Sequence, residues 1–307
     1  MSSKVLISII GPTAIGKTKL AILLANHFKT EIISADSRQF FKEMAIGTAV
    51  PSTWELSRAV HHFIQHKSIH EPYSVGDFEK EALNTLEALF QNHDTVVIVG
   101  GSGLYVDAVT KGLDSFPKVD SGIRETLNKE LMDKGIGFLQ SNLKELDPDY
   151  YEKVDLQNPH RLIRALEICI GAGKSYSSFL NKPKSQRNFK VLSIGLKADR
   201  KVIYDRINER VDIMMKDGLL TEVRSLLDQR NLNALQTVGY KELFEYCDGN
   251  WTLDFAVSEI KKNTRRFAKR QTTWFKKSPN TLWIAYNYHE KEIIAQIEEV
   301  VAELQNE

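Results

Sequence analysis

Residues 11–18 read GPTAIGKT, the most informative motif of the chain. It matches the phosphate-binding pattern G-x-x-x-x-G-K-[ST], in which glycines let backbone N–H groups curl around phosphate oxygens. In that pattern Lys17 supplies a cation, and Thr18 offers a hydroxyl to Mg²⁺. The β-branched run Val5–Ile10 predicts a buried strand before the loop, and the leucines after it predict a helix. The octapeptide can arise by chance in a loop, but this strand and helix favour phosphate binding.

Further strands and helices alternate with this first unit. Short apolar runs predict strands at residues 31–35 and Thr95–Val99, and a helical pattern lies between them. Such alternation predicts a parallel sheet, in which ligands bind beyond the carboxyl ends of the strands. We therefore expect an α/β core like that of the phosphate-loop nucleoside triphosphatases, with a parallel sheet flanked by helices.

The pattern becomes helical after Gly112. Apolar periodicity predicts three helices there, over residues 123–131, 138–146 and 161–170. Asn158 and Pro159 suit the N-cap and the first position of the last helix. We expect a helical insertion domain at residues 115–185, within a core formed by residues 1–114 and 186–307.

The second part of the core begins with a strand-like run at residues 190–196. Two long helices are expected after it, over residues 202–229 and 254–275. A last strand is expected at Thr281–Ala285. There is no internal repeat that would indicate a solenoid.

The overall charge is balanced, but its distribution is not. The 41 basic and 40 acidic residues give a net charge of +1. Over residues 261–277 every charged residue is basic, and Phe267, Trp274 and Phe275 lie among them. This pattern is typical of a surface that binds a polyanion, although a solvated helix face gives the same pattern.

Composition excludes several classes of protein. The chain is 42% hydrophobic and 26% charged, as soluble globular proteins are, and no apolar run approaches the ~20 residues of a membrane span. Cys169 and Cys247 are too few for a disulfide framework. Four histidines fall between His61 and His70, but no cysteine or H-E-x-x-H pattern supports a zinc site. We expect a cytoplasmic protein that does not bind membranes.

Polar or glycine-rich residues follow the second and third predicted strands. Asp36 follows the second strand, where a carboxylate can bind metal, take a proton or simply cap a helix. Gly100 and Gly101 follow the third strand, where phosphate-loop ATPases usually have an Asp that helps to hold Mg²⁺. Glycines there permit close approach of a ligand to the backbone. Ordinary ATP hydrolysis is therefore the less natural interpretation.

Several of these segments, in this order and spacing, resemble the tRNA dimethylallyltransferases, also called tRNA isopentenyltransferases. The matching segments are GPTAIGKT at 11–18, ISADSRQ at 33–39, IGTAVP at 46–51, VGGSGLY at 99–105, NPHRLIRALE at 158–167, RINER at 206–210 with Gly218 and Glu222, QTVGYKE at 236–242 and KRQTTW at 269–274. The resemblance runs from about residue 5 to residue 277. The eukaryotic members also carry a C-terminal Cys/His zinc finger, and this chain lacks one, so the bacterial type is expected.

The resemblance implies transfer of a dimethylallyl group from dimethylallyl diphosphate to N6 of the adenosine next to the anticodon in tRNA. It implies that Asp36 is the general base and that Lys17 and Thr18 act with it in catalysis, Thr18 as a ligand of Mg²⁺. The residues it implies for diphosphate binding are Gly11, Pro12, Thr13, Ala14, Ile15, Gly16, Lys17, Thr18, Arg206 and Arg210. The i,i+4 spacing of the two arginines also suits a surface ion-pair stripe.

By the same resemblance, contacts with the tRNA anticodon stem-loop are spread over much of the chain. The residues implied are Asp36, Ser37, Arg38, Gln39, Ser102, Arg124, His160, Arg161, Leu162, Ile163, Arg164, Gln236, Val238, Gly239, Tyr240, Lys241, Lys269, Arg270, Gln271, Trp274 and Lys276. Arg161 and Arg164 have the i,i+3 spacing that lets both face one stretch of phosphates, although solvated arginines have the same spacing.

Three other functions remain open from the residues. The first is a small-molecule kinase in which Asp36 is the base. The second is an enzyme that prenylates free adenine nucleotides, and the third is a nucleotide-gated RNA-binding protein without catalysis. Whether ATP also binds is left open, and a monomer is expected.

Overall fold

The computed structural model describes residues 3–182 and 186–306. Its strands are β1 Val5–Ile10, β2 Ile32–Ser34, β3 His61–His62, β4 Thr95–Val99, β5 Lys190–Lys197 and β6 Thr281–Ala285. They form one six-stranded sheet in the order β3-β2-β4-β1-β5-β6, and all of these pairings are parallel. The predicted strands are confirmed, while the two-residue β3 was not predicted.

Helices cover both faces of the sheet and extend into a helical segment. They are α1 Lys17–His27, α2 Thr53–Arg58, α3 Val75–Asn92, α4 Gly103–Lys111, α5 Ser121–Lys134, α6 Ile136–Leu146, α7 Pro148–Tyr151, α8 Pro159–Ala172, α9 Arg200–Lys216, α10 Leu219–Ser225, α11 Tyr240–Cys247, α12 Leu253–Phe275 and α13 Glu290–Asn306. The chain divides into two compact units: Met1–Lys111 with Arg187–Glu307, here called the core unit, and Gly112–Gln186, here called the helical unit.

The alternation of side chains along β1 builds both halves of the hydrophobic core. Ile7 and Ile9 point into one cluster with α1 and α13, while Leu6 and Ile10 point into another with α3. Every residue of β1 is buried, because a parallel sheet is covered on both faces. The α/β fold with a phosphate-loop core is therefore confirmed.

The helical unit has a separate core between α5, α6 and α8. Leu127, Leu139 and Leu166 are buried in it. The predicted start of α8 is confirmed, since the Asn158 side chain accepts from the Arg161 N–H and Pro159 occupies the first turn. The three helices predicted from periodicity correspond to α5, α6 and α8.

The single helix predicted over residues 202–229 is wrong. Helix α9 ends at Lys216, and Gly218, with φ of +102°, turns the chain before α10 begins. Glycine adopts this left-handed conformation without the steric cost that other residues meet. The predicted helix over 254–275 is confirmed as α12, and α13 was not predicted.

Among the helices of the described residues, none is both long enough and apolar enough to cross a bilayer.

Candidate active site

Three loops lie side by side at one edge of the sheet. They are the phosphate loop (residues 11–18), the aspartate loop (residues 36–39) and the glycine loop (residues 100–103), which follow β1, β2 and β4. These strands are neighbours in the order β2-β4-β1, and Val99 pairs with both Ser34 and Ile9. Because the strands are parallel, their carboxyl ends meet at this edge.

The phosphate loop is curled, and two side chains bond to its backbone carbonyls. Ala14 and Gly16 have positive φ values of 64° and 106°. The Lys17 ammonium donates to the carbonyl of Pro12 at 2.9 Å, and Arg206 Nε donates to the carbonyl of Ala14 at 2.7 Å. Helix α1 begins at Lys17, so the free N–H groups of its first turn face the loop. This is the geometry in which backbone N–H groups bind phosphate.

Positive charge is concentrated beside the loop. Burial lowers the pKa of Lys17 to about 8, with the nearby charge of Asp36 opposing this and that of Arg210 adding to it. Burial and the charge of Arg206 lower the pKa of Arg210. Within the described residues, none of these three cations lies within 4.0 Å of a carboxylate oxygen. Cations without carboxylate partners suit a polyanion such as a diphosphate.

Asp36 is a half-buried carboxylate close to these cations. Burial raises its pKa, while the N–H of Arg38, which donates to Oδ1 at 3.2 Å, and the charge of Lys17 oppose the rise. Residues 37–40 form a turn rather than a helix, so the alternative of a helix N-cap is wrong. A carboxylate with a raised pKa accepts a proton more readily, as a general base must.

The other residues of the aspartate loop form hydrogen bonds with groups of the protein. The Ser37 N–H donates to the Ser102 hydroxyl at 3.1 Å. Arg38 donates to the carbonyl of Ala234 at 2.9 Å, and Gln39 donates to that of Ala49 at 2.8 Å. These bonds fix the loop that carries Asp36. The RNA contacts implied for these four residues remain predictions.

The glycine loop packs closely against other protein groups, and Gly100 and Gly101 also line the second cavity, so the predicted approach of a ligand to this backbone stays a prediction. A Cβ at Gly100 would collide with the carbonyl of Ala35, and one at Gly101 would lie 2.5 Å from Gln271 Nε2. A Cβ at Gly103 would collide with the ring of Trp274. Glycines are needed here because the aspartate loop and α12 pack directly on this backbone.

Glu222 is a positioning residue to which the sequence analysis gave no role. Its carboxylate accepts from the N–H groups of residues 45–47 at 2.8 to 3.0 Å and from the Tyr240 hydroxyl at 2.6 Å. A Cβ at Gly47 would lie 2.6 Å from the Tyr240 ring, so that glycine lets the tyrosine pack against the loop. The only sequence signal was that Glu222 and Gly47 both lie in matching segments.

Two cavities meet around the aspartate loop. The first, of about 590 Å³, extends past Phe267, Arg270 and Trp274 on α12. The second, of about 700 Å³, extends over the phosphate loop. The residues that line both are Thr13, Asp36, Thr48, Ala49, Gly101, Arg210 and Met214. Asp36 therefore faces both the phosphate loop and the aromatic, basic side of α12.

The second cavity brings the predicted diphosphate residues together. It is lined by Thr13, Ala14, Ile15, Gly16, Lys17, Thr18, Arg206 and Arg210. Gly11 and Pro12 lie at the base of the loop and are buried. The Thr18 hydroxyl is a hard oxygen ligand, and Mg²⁺ in such sites takes one or two protein oxygens together with phosphate oxygens. The residues present thus fit a magnesium ion bound with a diphosphate.

The RNA residues predicted in the core unit fall into two groups. Lys269, Arg270, Trp274 and Lys276 are exposed, and Gln236, Val238, Gly239 and Lys241 line the first cavity or its rim. Tyr240 is fully buried with its hydroxyl on Glu222, and Gln271 is 6% exposed. The side chains of Tyr240 and Gln271 therefore support the walls of the site.

In the helical unit, the predicted RNA residues are also divided. His160 and Arg161 are exposed on α8, whereas Leu162 and Ile163 are buried in its core and offer RNA no side-chain surface.

Two further arginines of this unit are partly exposed. Arg124 and Arg164 both donate to Glu167, at 2.7 Å and 2.9 Å. The guanidinium of Arg164 also lies over the Phe116 ring. The RNA contacts implied for these arginines and for α8 remain predictions.

The histidines between His61 and His70 have separate partners. His62 Nε2 lies 2.6 Å from a Glu31 oxygen, and His66 packs among the rings of Phe40, Phe63 and Tyr73. In the part of the chain that the structure describes, no three His, Cys, Asp or Glu residues are grouped as metal ligands.

Comparison with known proteins gives one consistent family. Residues 39–278 match the family model described as IPP transferase. A protein of Christiangramia forsetii named tRNA dimethylallyltransferase is 62% identical, over 96% of this chain and 98% of its own length. A protein of the same name from Flavobacterium johnsoniae is 60% identical, over 96% and 98%.

Solved structures agree with these matches. The tRNA isopentenylpyrophosphate transferase of Bacillus halodurans is 35% identical with a TM-score of 0.73, covering 99% of this chain and 97% of that one. A eukaryotic dimethylallyltransferase, described as acting on tRNA, is 25% identical with a TM-score of 0.84. That similarity covers 98% of this chain and 80% of the eukaryotic one.

Proposed function

The chain belongs to the tRNA dimethylallyltransferase family, also described as IPP transferases, and from that membership we propose the reaction that it catalyses. The enzyme transfers a dimethylallyl group from dimethylallyl diphosphate to N6 of the adenosine next to the anticodon in tRNA. One C–N bond forms, one C–O bond breaks, and diphosphate and a proton are released. The single observation that carries this proposal is that Asp36 lines both cavities.

The second cavity suits the diphosphate. Negative charge accumulates on this leaving group as the C–O bond breaks, and preorganised cations and N–H groups stabilise such charge. Lys17, Arg206 and Arg210 supply the cations, and the phosphate loop supplies the N–H groups. The Thr18 hydroxyl would hold Mg²⁺, which would supply further neutralisation of the diphosphate charge. In this proposal the phosphate loop holds a leaving group rather than ATP.

Asp36 acts as the general base. The lone pair of the adenine amine is delocalised into the ring, so N6 is a poor nucleophile until a base removes its proton. A positioned base typically contributes about 10²–10⁴-fold to the rate. The proton moves from N6 to the Asp36 carboxylate as the C–N bond forms. The raised pKa of Asp36 fits this role, because it brings the carboxyl closer to the working pH.

The first cavity suits the adenosine and the RNA around it. A base must leave its stack to reach buried chemistry, and aromatic rings then hold it. Phe267 and Trp274 line this cavity and are 38% and 39% exposed. Arg270 and Lys241 also line this cavity, where they can contact phosphates.

The proposal is tested by following a labelled five-carbon donor. The protein is incubated with dimethylallyl diphosphate labelled in its allyl group, Mg²⁺ and unmodified tRNA, and the nucleosides are then analysed. We expect label in N6-(dimethylallyl)adenosine next to the anticodon and nowhere else. A tRNA with guanosine in place of that adenosine is the control and remains unlabelled.

Parallel reactions contain AMP, or ATP with a small-molecule acceptor. Label in AMP would indicate an enzyme of free nucleotides, and phosphate transfer from ATP would indicate a kinase. If the protein bound RNA but no label entered tRNA, it would be an RNA-binding protein without catalysis. Each of these results contradicts the proposed function.

A further inference from the structure

Helix α12 presents different chemistry on two of its faces. Lys269 and Arg270 are exposed, and Arg270 lines the first cavity, where RNA is proposed to bind. Gln271, the next residue, is 6% exposed and points into the core unit. A buried glutamine must satisfy both ends of its amide within the protein, because an unsatisfied buried polar group costs about 1–3 kcal/mol.

The Gln271 amide connects two of the three loops of the site. Its Oε1 accepts from the Thr13 N–H of the phosphate loop at 2.8 Å. Its Nε2 donates to the Gly101 carbonyl of the glycine loop, also at 2.8 Å. A backbone N–H can only donate and a carbonyl can only accept, so these partners permit one orientation of the amide.

The bond to Thr13 acts where the phosphate loop is shaped. Thr13 precedes Ala14, whose φ is positive and whose carbonyl accepts from Arg206. The loop apex is thus held by α9 through Arg206 and by α12 through Gln271. A shift of α12 relative to the sheet edge would change the orientation of the Thr13 peptide directly.

Other contacts keep α12 docked without Gln271. The Trp274 indole donates to Asp107 at 2.9 Å, and its ring packs on Gly103. Ala268 and Phe275 are buried on the same helix. Removal of the Gln271 amide should therefore uncouple the phosphate loop from α12 while leaving the helix in place.

We propose that Gln271 is a positioning residue that couples RNA binding on α12 to diphosphate binding in the phosphate loop. The inference rests on the proposed function, since it takes α12 as the RNA-binding helix. RNA held by Arg270 and Trp274, which line the first cavity, fixes the position of α12. The Gln271 amide then fixes the orientation of the Thr13 peptide. Because coupling between two binding sites is reciprocal, bound diphosphate also tightens RNA binding.

The coupling is measured as a ratio of dissociation constants. Calorimetry gives the Kd of pyrophosphate with Mg²⁺, first alone and then with a saturating anticodon stem-loop RNA. In the wild type we expect the RNA to lower this Kd by about fivefold or more. In Gln271→Leu we expect a ratio near one, with the Kd for RNA alone little changed. A merely structural role would weaken both ligands and leave the ratio intact.

Two further variants complete the test. Thr272→Val removes a hydroxyl that donates within α12 to the carbonyl of Ala268 at 3.0 Å, and the RNA should lower the Kd of pyrophosphate as much in this variant as in the wild type. Gln271→Glu keeps the size of the side chain and an acceptor for the Thr13 N–H, but its carboxylate cannot donate to the Gly101 carbonyl and repels it. The RNA should therefore no longer lower the Kd of pyrophosphate in this variant. The glutamate variant keeps the test possible if the leucine variant does not fold.

The inference would be overturned if RNA did not lower the Kd of pyrophosphate in the wild type. It would also be overturned if RNA lowered this Kd as much in a folded Gln271 variant as in the wild type. Transfer of label to tRNA by the wild type distinguishes this failure from a failure of the proposed function. If label enters tRNA and the variants keep the ratio, only the coupling is wrong.

Discussion

Two pairs of arginines have opposite electrostatic surroundings. In the helical unit, Arg124 and Arg164 share the Glu167 carboxylate, whose side chain is 8% exposed. At the phosphate loop, Arg206 donates to the backbone carbonyl of Ala14, and Arg210 lies 3.5 Å from the Thr13 hydroxyl. The first group is partly neutralised by its own unit, and the second is not.

The pKa shifts follow this difference. Hydrogen bonding to Glu167 raises the pKa of Arg124, whereas burial and a neighbouring arginine lower that of Arg210. A cation that is harder to keep charged in the free protein gains more when an anion arrives. Unneutralised positive charge at the phosphate loop therefore indicates an anion site more strongly than arginine spacing does.

The largest expected effect comes from the carboxylate near the unneutralised cations. Asp36→Asn should lower kcat about 10²–10⁴-fold, because a base is lost while the shape is kept. Affinity for tRNA should change little. The melting temperature should not fall, since burial raises the pKa of Asp36 and so disfavours its charged form. Single-turnover kinetics measures the rate of the chemical step, filter binding measures the affinity for tRNA, and calorimetry measures the melting temperature.

Glu55→Gln is the matched control for Asp36. Glu55 also lines the second cavity, but its carboxylate caps α2 through Ser52. We expect a nearly unchanged kcat in that variant. Equal losses of kcat in the two variants would mean that the site needs negative charge and not a base at residue 36.

The next effect separates the two arginine groups. Arg210→Gln should raise the KM for dimethylallyl diphosphate about 10–100-fold, because charge-assisted hydrogen bonds contribute about 1.5–3 kcal/mol. Arg164→Gln should leave that KM unchanged, and any effect should fall on the KM for tRNA. Steady-state kinetics with each substrate varied in turn measures both. If both variants raised the KM for the diphosphate, the contrast between the two groups would be wrong.

How far the sequence could predict this site depends on whether a feature is local. The phosphate loop is a contiguous octapeptide between a strand and a helix, so its position and curl followed from the pattern. The bridge from Gln271 to Thr13 spans 258 residues, and that from Glu222 to Gly47 spans 175. No local pattern reports such pairs, because the fold alone brings them together.

The glycines and arginines give the same lesson. The glycines of the glycine loop were predicted to let a ligand approach the backbone, but their packing against the aspartate loop and α12 was not predicted. A glycine in a sequence does not indicate which neighbouring protein group needs the space. The spacing of Arg206 and Arg210 left an ion-pair stripe open as an alternative. Only the surroundings of the two side chains, which lack a carboxylate within 4.0 Å among the described residues, distinguish the two interpretations.

A pH titration tests whether the charge of Lys17 contributes to anion binding at the phosphate loop. Burial lowers the pKa of Lys17 to about 8, so below that pH the ammonium is available to an anion and above it the charge is lost. The Kd for pyrophosphate should therefore rise between pH 8 and pH 9, by at most about tenfold. Lys17→Arg is the control, because arginine stays charged throughout this range. Calorimetry at each pH should give a flat profile for that variant; parallel profiles would exclude Lys17 as the titrating group.

The smallest expected effect tests the neutralised group. Burial alone would raise the pKa of Glu167, but the hydrogen bonds from Arg124 and Arg164 outweigh it and lower that pKa below its usual 4.5. Because the folded-state pKa is depressed, this carboxylate stabilises the fold above about pH 4.5 and loses that contribution as the pH falls through the folded value. Glu167→Gln should therefore cost about 1–2 kcal/mol at pH 7, since the arginines are partly exposed and solvent screens them.

Glu130→Gln provides the comparison for Glu167 within the same unit. Glu130 forms an ion pair with Lys134, one turn away, at 3.3 Å, and the lysine side chain is half-exposed. Loss of this pair should lower the free energy of unfolding by less than about 0.5 kcal/mol. Thermal unfolding at pH 7 should show the larger loss only for Glu167→Gln. Toward about pH 3 that variant and the wild type should converge, because the wild-type carboxylate is then protonated. A stability difference that persists in acid would mean that Glu167 stabilises the fold through packing. The charge of Glu167 would then not be what neutralises Arg124 and Arg164.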